Sequence, residues 1–150
     1  MSREPTPEAV ARACAEIMWA EDSASRGLGM ELLAVGSGTA ELAMTVRPDM
    51  VNGHGICHGG FIFTLADSAF AFAFACNSYD QRVVAAQCAI TFLAPARLGD
   101  RLTAKGVERQ RFGRNGIYDI TVTRADGAPI AEFRGHARTV KGRFLPEGEA

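Results

Sequence analysis

The sequence has no CxxC pair, no GxSxG elbow, no GxGxxG turn, no P-loop and no apolar run of twenty residues. Each absence removes a class. Without the elbow, an α/β-hydrolase esterase is disfavoured. Without the glycine-rich phosphate loops, dinucleotide-binding and nucleotide-hydrolysing folds are disfavoured. The four cysteines, Cys14, Cys57, Cys76 and Cys88, form no dense framework. The first twenty residues lack the basic-then-apolar pattern of a secretory leader, so reduced thiols in the cytoplasm are the expectation. The longest strongly apolar stretch, Phe61–Cys76, includes Asp67 and is too short to span a bilayer, so no membrane partner is expected. Net charge is −1, which argues against a nucleic-acid partner held by bulk electrostatics.

That small net charge hides an asymmetry. Residues 1–96 carry five basic and ten acidic side chains, whereas residues 97–150 carry eleven and seven. Solvated strand faces account for such a bias, and a surface receiving a phosphorylated ligand is the alternative. At 150 residues the chain fits one domain, 1–150, and no repeat or internal linker interrupts it.

Thr6-Pro7-Glu8 reads as a helix start, with a capping hydroxyl, a proline at the first position and a carboxylate for the dipole. That helix is expected over about 7–19, followed by a polar connection, Glu21–Gly29. From Met30 the period becomes two. Leu42, Met44 and Val46 alternate with Glu41, Thr45 and Arg47, and Gly36-Ser37-Gly38 before them is a hairpin turn. Asn52–Gly60 is a loop with four glycines and two histidines. Phe61–Asn77 is apolar nearly all round, and its length and interleaved alanines predict a buried helix.

Downstream, four antiparallel strands are expected: Val83–Leu93, then runs around Leu102–Lys105, Tyr118–Thr123 and Ala131–Arg138. Asp126-Gly127 marks a turn between the last two, and a loose tail is expected from about 143. A helix apolar on every side needs cover on every side. A curved antiparallel sheet of five to six strands wrapped around it supplies most of that cover, which makes the class α+β.

Within Phe61–Ala75 the polar side chains are Thr64, Asp67 and Ser68, three and four residues apart along one stripe. Hydroxyls can bond a carbonyl one turn back, but an ionised carboxylate only accepts. Two readings of Asp67 stand here: a carboxylate tied down by a neighbouring hydroxyl or backbone group, or a working group with a perturbed pKa. At the helix start, His58-Gly59-Gly60 leaves N–H groups uncovered by side chains, where the dipole favours a developing oxyanion. Gly59 and Asp67 are eight residues apart, about 12 Å along one helix. If both act on one carbonyl, a twofold-related second helix must supply one of them.

Asn52-Gly53-His54, Cys57-His58-Gly59-Gly60, Leu65-Ala66-Asp67 and Ala69-Phe70-Ala71 resemble the PaaI-type hotdog thioesterases of phenylacetate catabolism. Ile90–Pro95, Gly99-Asp100, Gly116–Asp119 and Phe133-Arg134-Gly135 extend the likeness, which covers roughly residues 25–140. The resemblance implies a hotdog fold and hydrolysis of aryl- or hydroxyarylacetyl-CoA, with no metal or redox cofactor. It implies a homodimer that completes the site, and pairing of dimers into a homotetramer. Asp67 is then the base or nucleophile, and the Gly59 N–H of the other subunit polarises the carbonyl. Asn52 and His58 place the water, the carboxylate and the loop. Related animal enzymes carry a serine near Ala85, and Gln87 or Ser68 are the candidates to replace it. Gly60 joins the substrate-binding set. Arg111 and Arg114, with Arg109, are candidates for the CoA phosphates, against a reading as exposed loop charges.

Other chemistries fit less well. His54, Cys57 and His58 crowd three ligands into five residues, unlike a zinc site. Cys57 and His58, being adjacent, do not readily present both side chains to one atom as a nucleophile pair. A non-catalytic acyl-CoA sensor and a hotdog hydratase remain as alternative functions.

Overall fold

A computed structural model describes residues 3–147; residues 148–150 of the expected tail lie outside the described residues. Helix α1 spans Pro7–Glu21, capped by Thr6, whose hydroxyl accepts from the Ala9 N–H at 3.2 Å. It runs two residues past the expected end. The connection expected at Glu21–Gly29 contains a short helix, α2 (Ser23–Gly27), because the Asp22 carboxylate caps it through the Ser25 N–H.

Six strands follow: β1 (Glu31–Gly36), β2 (Thr39–Thr45), β3 (Val83–Phe92), β4 (Arg101–Phe112), β5 (Asn115–Arg124) and β6 (Pro129–Thr139). They form one antiparallel sheet in the order β1-β2-β4-β5-β6-β3. The hairpin turn falls at Ser37-Gly38, where Gly38 takes φ +75°. The Asp126-Gly127 turn likewise places Gly127 at φ +87°. The period-two readings hold: Leu42, Met44, Leu102, Ala104, Tyr118, Ile120, Val122 and Phe133 all point into the core.

Helix α3 (Gly59–Ala75) crosses the concave face of the sheet, packing on β2, β4 and β5. It starts and ends two residues earlier than its apolar stretch, because His58 caps it and the chain turns at Cys76. Phe70, Phe72 and Phe74 are all buried, together with Ile62, Leu65 and the alanines at 66, 69, 73 and 75 of the same helix. The Phe70 ring lies so close over β6 that a methyl at Gly135 would stand 2.6 Å from it. A glycine is needed there for space, not for backbone conformation. A helix with no polar face is thus covered by its own sheet on one side and by α1 and α2 on another.

Two sheet edges stay unpaired, β1 and β3. Strand β3 is also largely exposed, with Val84 at 48% and Phe92 at 51%. The chain beyond β6 is less loose than expected. Asp80, in the turn after α3, accepts from Arg143 Nε at 2.7 Å and from the Phe144 and Leu145 N–H groups at 2.9 and 3.0 Å. A carboxylate 63 residues away in sequence therefore anchors the start of the tail.

Candidate active site

Asp67 sits in the middle of α3, half-buried against β3. Among the described residues it receives no hydroxyl and no backbone N–H. Its polar neighbour is Cys88, whose Sγ lies 3.9 Å from Oδ1. Burial pushes the Asp67 carboxyl above the ordinary carboxylate range, and the Cys88 contact pulls weakly the other way. The same burial, reinforced by the Asp67 charge, pushes the Cys88 thiol up to about 11. Of the two readings left open by the sequence, the tied-down carboxylate is not the arrangement found.

The other members of the polar stripe are committed elsewhere. Thr64 Oγ1 donates to the Gly60 carbonyl at 2.8 Å, and Ser68 Oγ meets the buried Ser25 Oγ at 2.8 Å. Ser68 is therefore packed on α2 and does not line the pocket beside Asp67. Gln87 is exposed and, by strand alternation, faces away from the side of β3 on which Cys88 meets Asp67. A bulge between Ala85 and Gln87 shifts the register just before this point. Cys88 is thus the β3 residue that reaches the carboxylate, and the sequence carries no signal for it beyond a cysteine in a β-prone run.

At the start of α3, His58 Nδ1 accepts from the Gly60 N–H at 2.9 Å, and the His58 carbonyl accepts from Phe61 N–H at 3.0 Å. None of the described residues accepts from the Gly59 N–H. The histidine therefore works as a cap that consumes the Gly60 donor and leaves the Gly59 donor exposed at the positive end of the helix. Asn52 folds the preceding loop. Its Oδ1 accepts from His54 N–H at 2.9 Å and Ile56 N–H at 3.4 Å, and its backbone N–H donates to the Ile56 carbonyl at 2.9 Å. His54, Cys57 and His58 do not converge, and among the described residues no group of three His, Cys, Asp or Glu side chains is placed to hold a metal ion.

Gly59 and Asp67 open onto different concavities. Gly59 and Asn52 border a groove of about 590 Å³ walled by Ile56, Ile62, Phe92 and Leu93. Asp67 borders a smaller pocket of about 180 Å³ walled by Phe70, Phe74, Val83, Val84, Ala85 and Ala137. A third and larger hollow, about 630 Å³ between α1 and β1, is bordered by neither residue.

The arginines expected at the CoA phosphates are mostly engaged within the chain. Arg111 donates to Gln81 Oε1 at 2.6 Å and lies 4.1 Å over the Tyr79 ring. Arg114 donates to the Thr139 carbonyl, and Arg109 pairs with Asp119, which Arg134 also holds. Part of the basic bias of the second half is taken up by ion pairs of Arg101, Arg109, Arg124, Arg134 and Arg143. Among the described residues no helix is long and apolar enough to cross a membrane.

Residues 54–131 match the thioesterase superfamily. The acyl-coenzyme A thioesterase PaaI of Escherichia coli K12 is 39% identical over 133 residues, spanning 89% of this chain and 94% of that protein. The solved E. coli PaaI structure superposes with a TM-score of 0.88 at 38% identity, covering 92% of this chain and 99% of that one. A phenylacetic acid degradation protein PaaI from Thermus thermophilus superposes at 0.75 with 34% identity, covering 79% and 100%. Sheet order, central helix and sequence agree with these, and the chain belongs to the thioesterase superfamily as a hotdog-fold protein of the PaaI type.

Proposed function

We propose that this protein hydrolyses arylacetyl-CoA thioesters, phenylacetyl-CoA or hydroxyphenylacetyl-CoA, in the cytoplasm, at a site shared by two protomers. One observation carries the reading: a helix-terminal N–H without an acceptor and a half-buried carboxylate with no hydroxyl or backbone donor, among the described residues, stand in two separate concavities of one chain. Each is half of a hydrolytic site. With two α3 helices side by side and antiparallel, the Gly59 N–H of one protomer faces the Asp67 carboxylate of its partner, and two equivalent sites form.

In each site the thioester carbonyl accepts from the Gly59 N–H. Asp67 takes a proton from water as the water oxygen bonds to the carbonyl carbon. The tetrahedral oxyanion is held by the same N–H and the α3 dipole, then the C–S bond breaks and CoA leaves as thiolate. Desolvation makes Asp67 a stronger base than an exposed carboxylate. Direct attack by Asp67, giving a mixed anhydride that water then cleaves, uses the same geometry. Asn52 and His58 act by position, shaping the loop and leaving the Gly59 donor free. The 180 Å³ pocket suits the aryl group, since a cavity of about 150 Å³ with similar lining accommodates benzene. The larger groove takes the pantetheine arm.

The bare β3 edge is the surface through which two protomers join, and two such dimers pair into a tetramer. A pure acyl-CoA sensor has no use for a basic carboxylate at the carbonyl, which argues against that alternative. Complementation tests the shared site. Asp67→Ala and Gly59→Val proteins, each inactive alone, are mixed, dissociated and reassociated. A random mixture restores about a quarter of wild-type thiol release, because half the dimers carry one intact site of two. No restoration, with mixed dimers present by mass spectrometry, refutes the shared site.

A further inference from the structure

The small pocket beside Asp67 runs towards the turn after α3, and what shapes it there is distant from the chemistry. Its wall on that side includes Phe74, in the last turn of α3, and Val83 and Val84, at the start of β3. These residues flank one short turn, Cys76–Arg82, so the shape of that turn sets how near the two sides of the wall stand. The turn is held by long-range contacts. The Arg111 guanidinium lies 4.1 Å over the Tyr79 ring and 6.0 Å from the Phe74 ring, and donates to Gln81 at 2.6 Å. Among the described residues Arg111 Nη1 is buried without an acceptor, so the group acts as a flat wedge between rings and is not a free cation projecting to solvent. From the other side Asp80 is gripped by Arg143 and the Phe144 and Leu145 N–H groups. Ser78 and Asp80 both take positive φ, +74° and +48°, a conformation that non-glycine residues keep only where surroundings enforce it.

We infer that Arg111 is a specificity-determining residue, bracing the Cys76–Arg82 turn through Tyr79 and Gln81 so that the acyl pocket ends at Phe74 and Val83 and admits a compact aryl group but not a long alkyl chain. The inference rests on the pocket being the acyl site of the proposed hydrolase. It assigns Arg111 to the acyl end of the substrate, not to the CoA phosphates. Without the wedge the turn relaxes, the wall parts and extended chains gain room.

The test compares kcat/KM for phenylacetyl-CoA and decanoyl-CoA in wild type, Arg111→Met and Tyr79→Ala, with thermal unfolding measured on each. Tyr79 is 59% exposed, so its truncation leaves the core filled. The decanoyl-to-phenylacetyl ratio is expected to rise about tenfold or more in both variants, as pocket-size changes of one or two methylenes produce. An equal loss for both esters overturns the inference, because it marks general loosening. A KM increase common to both esters also overturns it, because it marks an arginine that reads the shared CoA portion. A wild-type protein that hydrolyses neither ester overturns the thioesterase reading and this inference with it. Hydrolysis of phenylacetyl-CoA with an unchanged ratio in the variants overturns this inference alone.

Discussion

Asp67→Asn separates the work of the carboxylate from its weight in the fold. The amide has the same shape, so Phe70, Ala85 and Cys88 keep their contacts while the negative charge and the basic oxygen disappear. Loss of a positioned general base costs about 10²–10⁴-fold in turnover. Stability is expected to move the opposite way. The folded-state pKa of Asp67 is raised by burial, so the native protein resists ionising a group that the unfolded chain ionises freely. Wild-type stability therefore falls as pH climbs from the unfolded carboxylate value, about 3.9, through the folded value, and stays lowered above it. The asparagine protein escapes that loss. Its melting temperature should match the wild type in acid and exceed it at neutral pH, by roughly 2–4 °C for each kcal/mol of desolvation relieved. Thiol release from phenylacetyl-CoA and calorimetric melting at several pH values read both effects. Turnover within tenfold of wild type in a folded Asp67→Asn protein would refute the catalytic argument. A neutral-pH melting temperature below the wild type would refute the burial argument.

Cys88→Ala removes the polar contact that, among the described residues, favours ionised Asp67, so the acidic limb of the pH–rate profile should shift to higher pH; an unmoved limb would show that the 3.9 Å contact has no electrostatic effect. A methyl at Gly59 would stand 2.9 Å from Phe92 Cζ, at the edge of the groove. Gly59→Ala should therefore fold normally yet lose up to about 100-fold in kcat/KM through misplacement of the thioester, with partial recovery in Gly59→Ala/Phe92→Ala. Gly135→Ala drives a methyl into the buried Phe70 ring and should cost about 1–3 kcal/mol in urea unfolding, since ring and strand must shift apart to accommodate it.

Much of this architecture is readable from local pattern. Alternation marks the inward faces of β4, β5 and β6, because one face of each is buried and the other at least partly wet, whereas β2 also buries Ala43 on its outer face. Asp67 stands out because a carboxylate on an apolar helix is chemically conspicuous, and the eight-residue gap to Gly59 follows from helix rise alone. What local pattern misses depends on partners distant in sequence. Ser68 reads as a neighbour of Asp67, but its hydroxyl is held by Ser25 on a helix that the sequence presents as a loop. Gln87 lies close to Ala85 in sequence, and a bulge of one residue moves the inward position to Cys88. Arg111 suggests a phosphate by its charge, whereas its environment is two aromatic rings and an amide. His58 is the exception, expected to place reactants and found capping α3 through the Gly60 donor only two residues on.

If the bare backbone ladder of β3 is the seam proposed above, activity becomes a property of concentration. On that proposal a solitary protomer has its reactive groups correctly made but no complete reaction centre, so specific activity should fall away on dilution even while every chain stays folded. Any agent that wedges that seam, whether a short extended peptide or a charged substitution at Val84, would silence both centres at once without touching the residues that perform the hydrolysis.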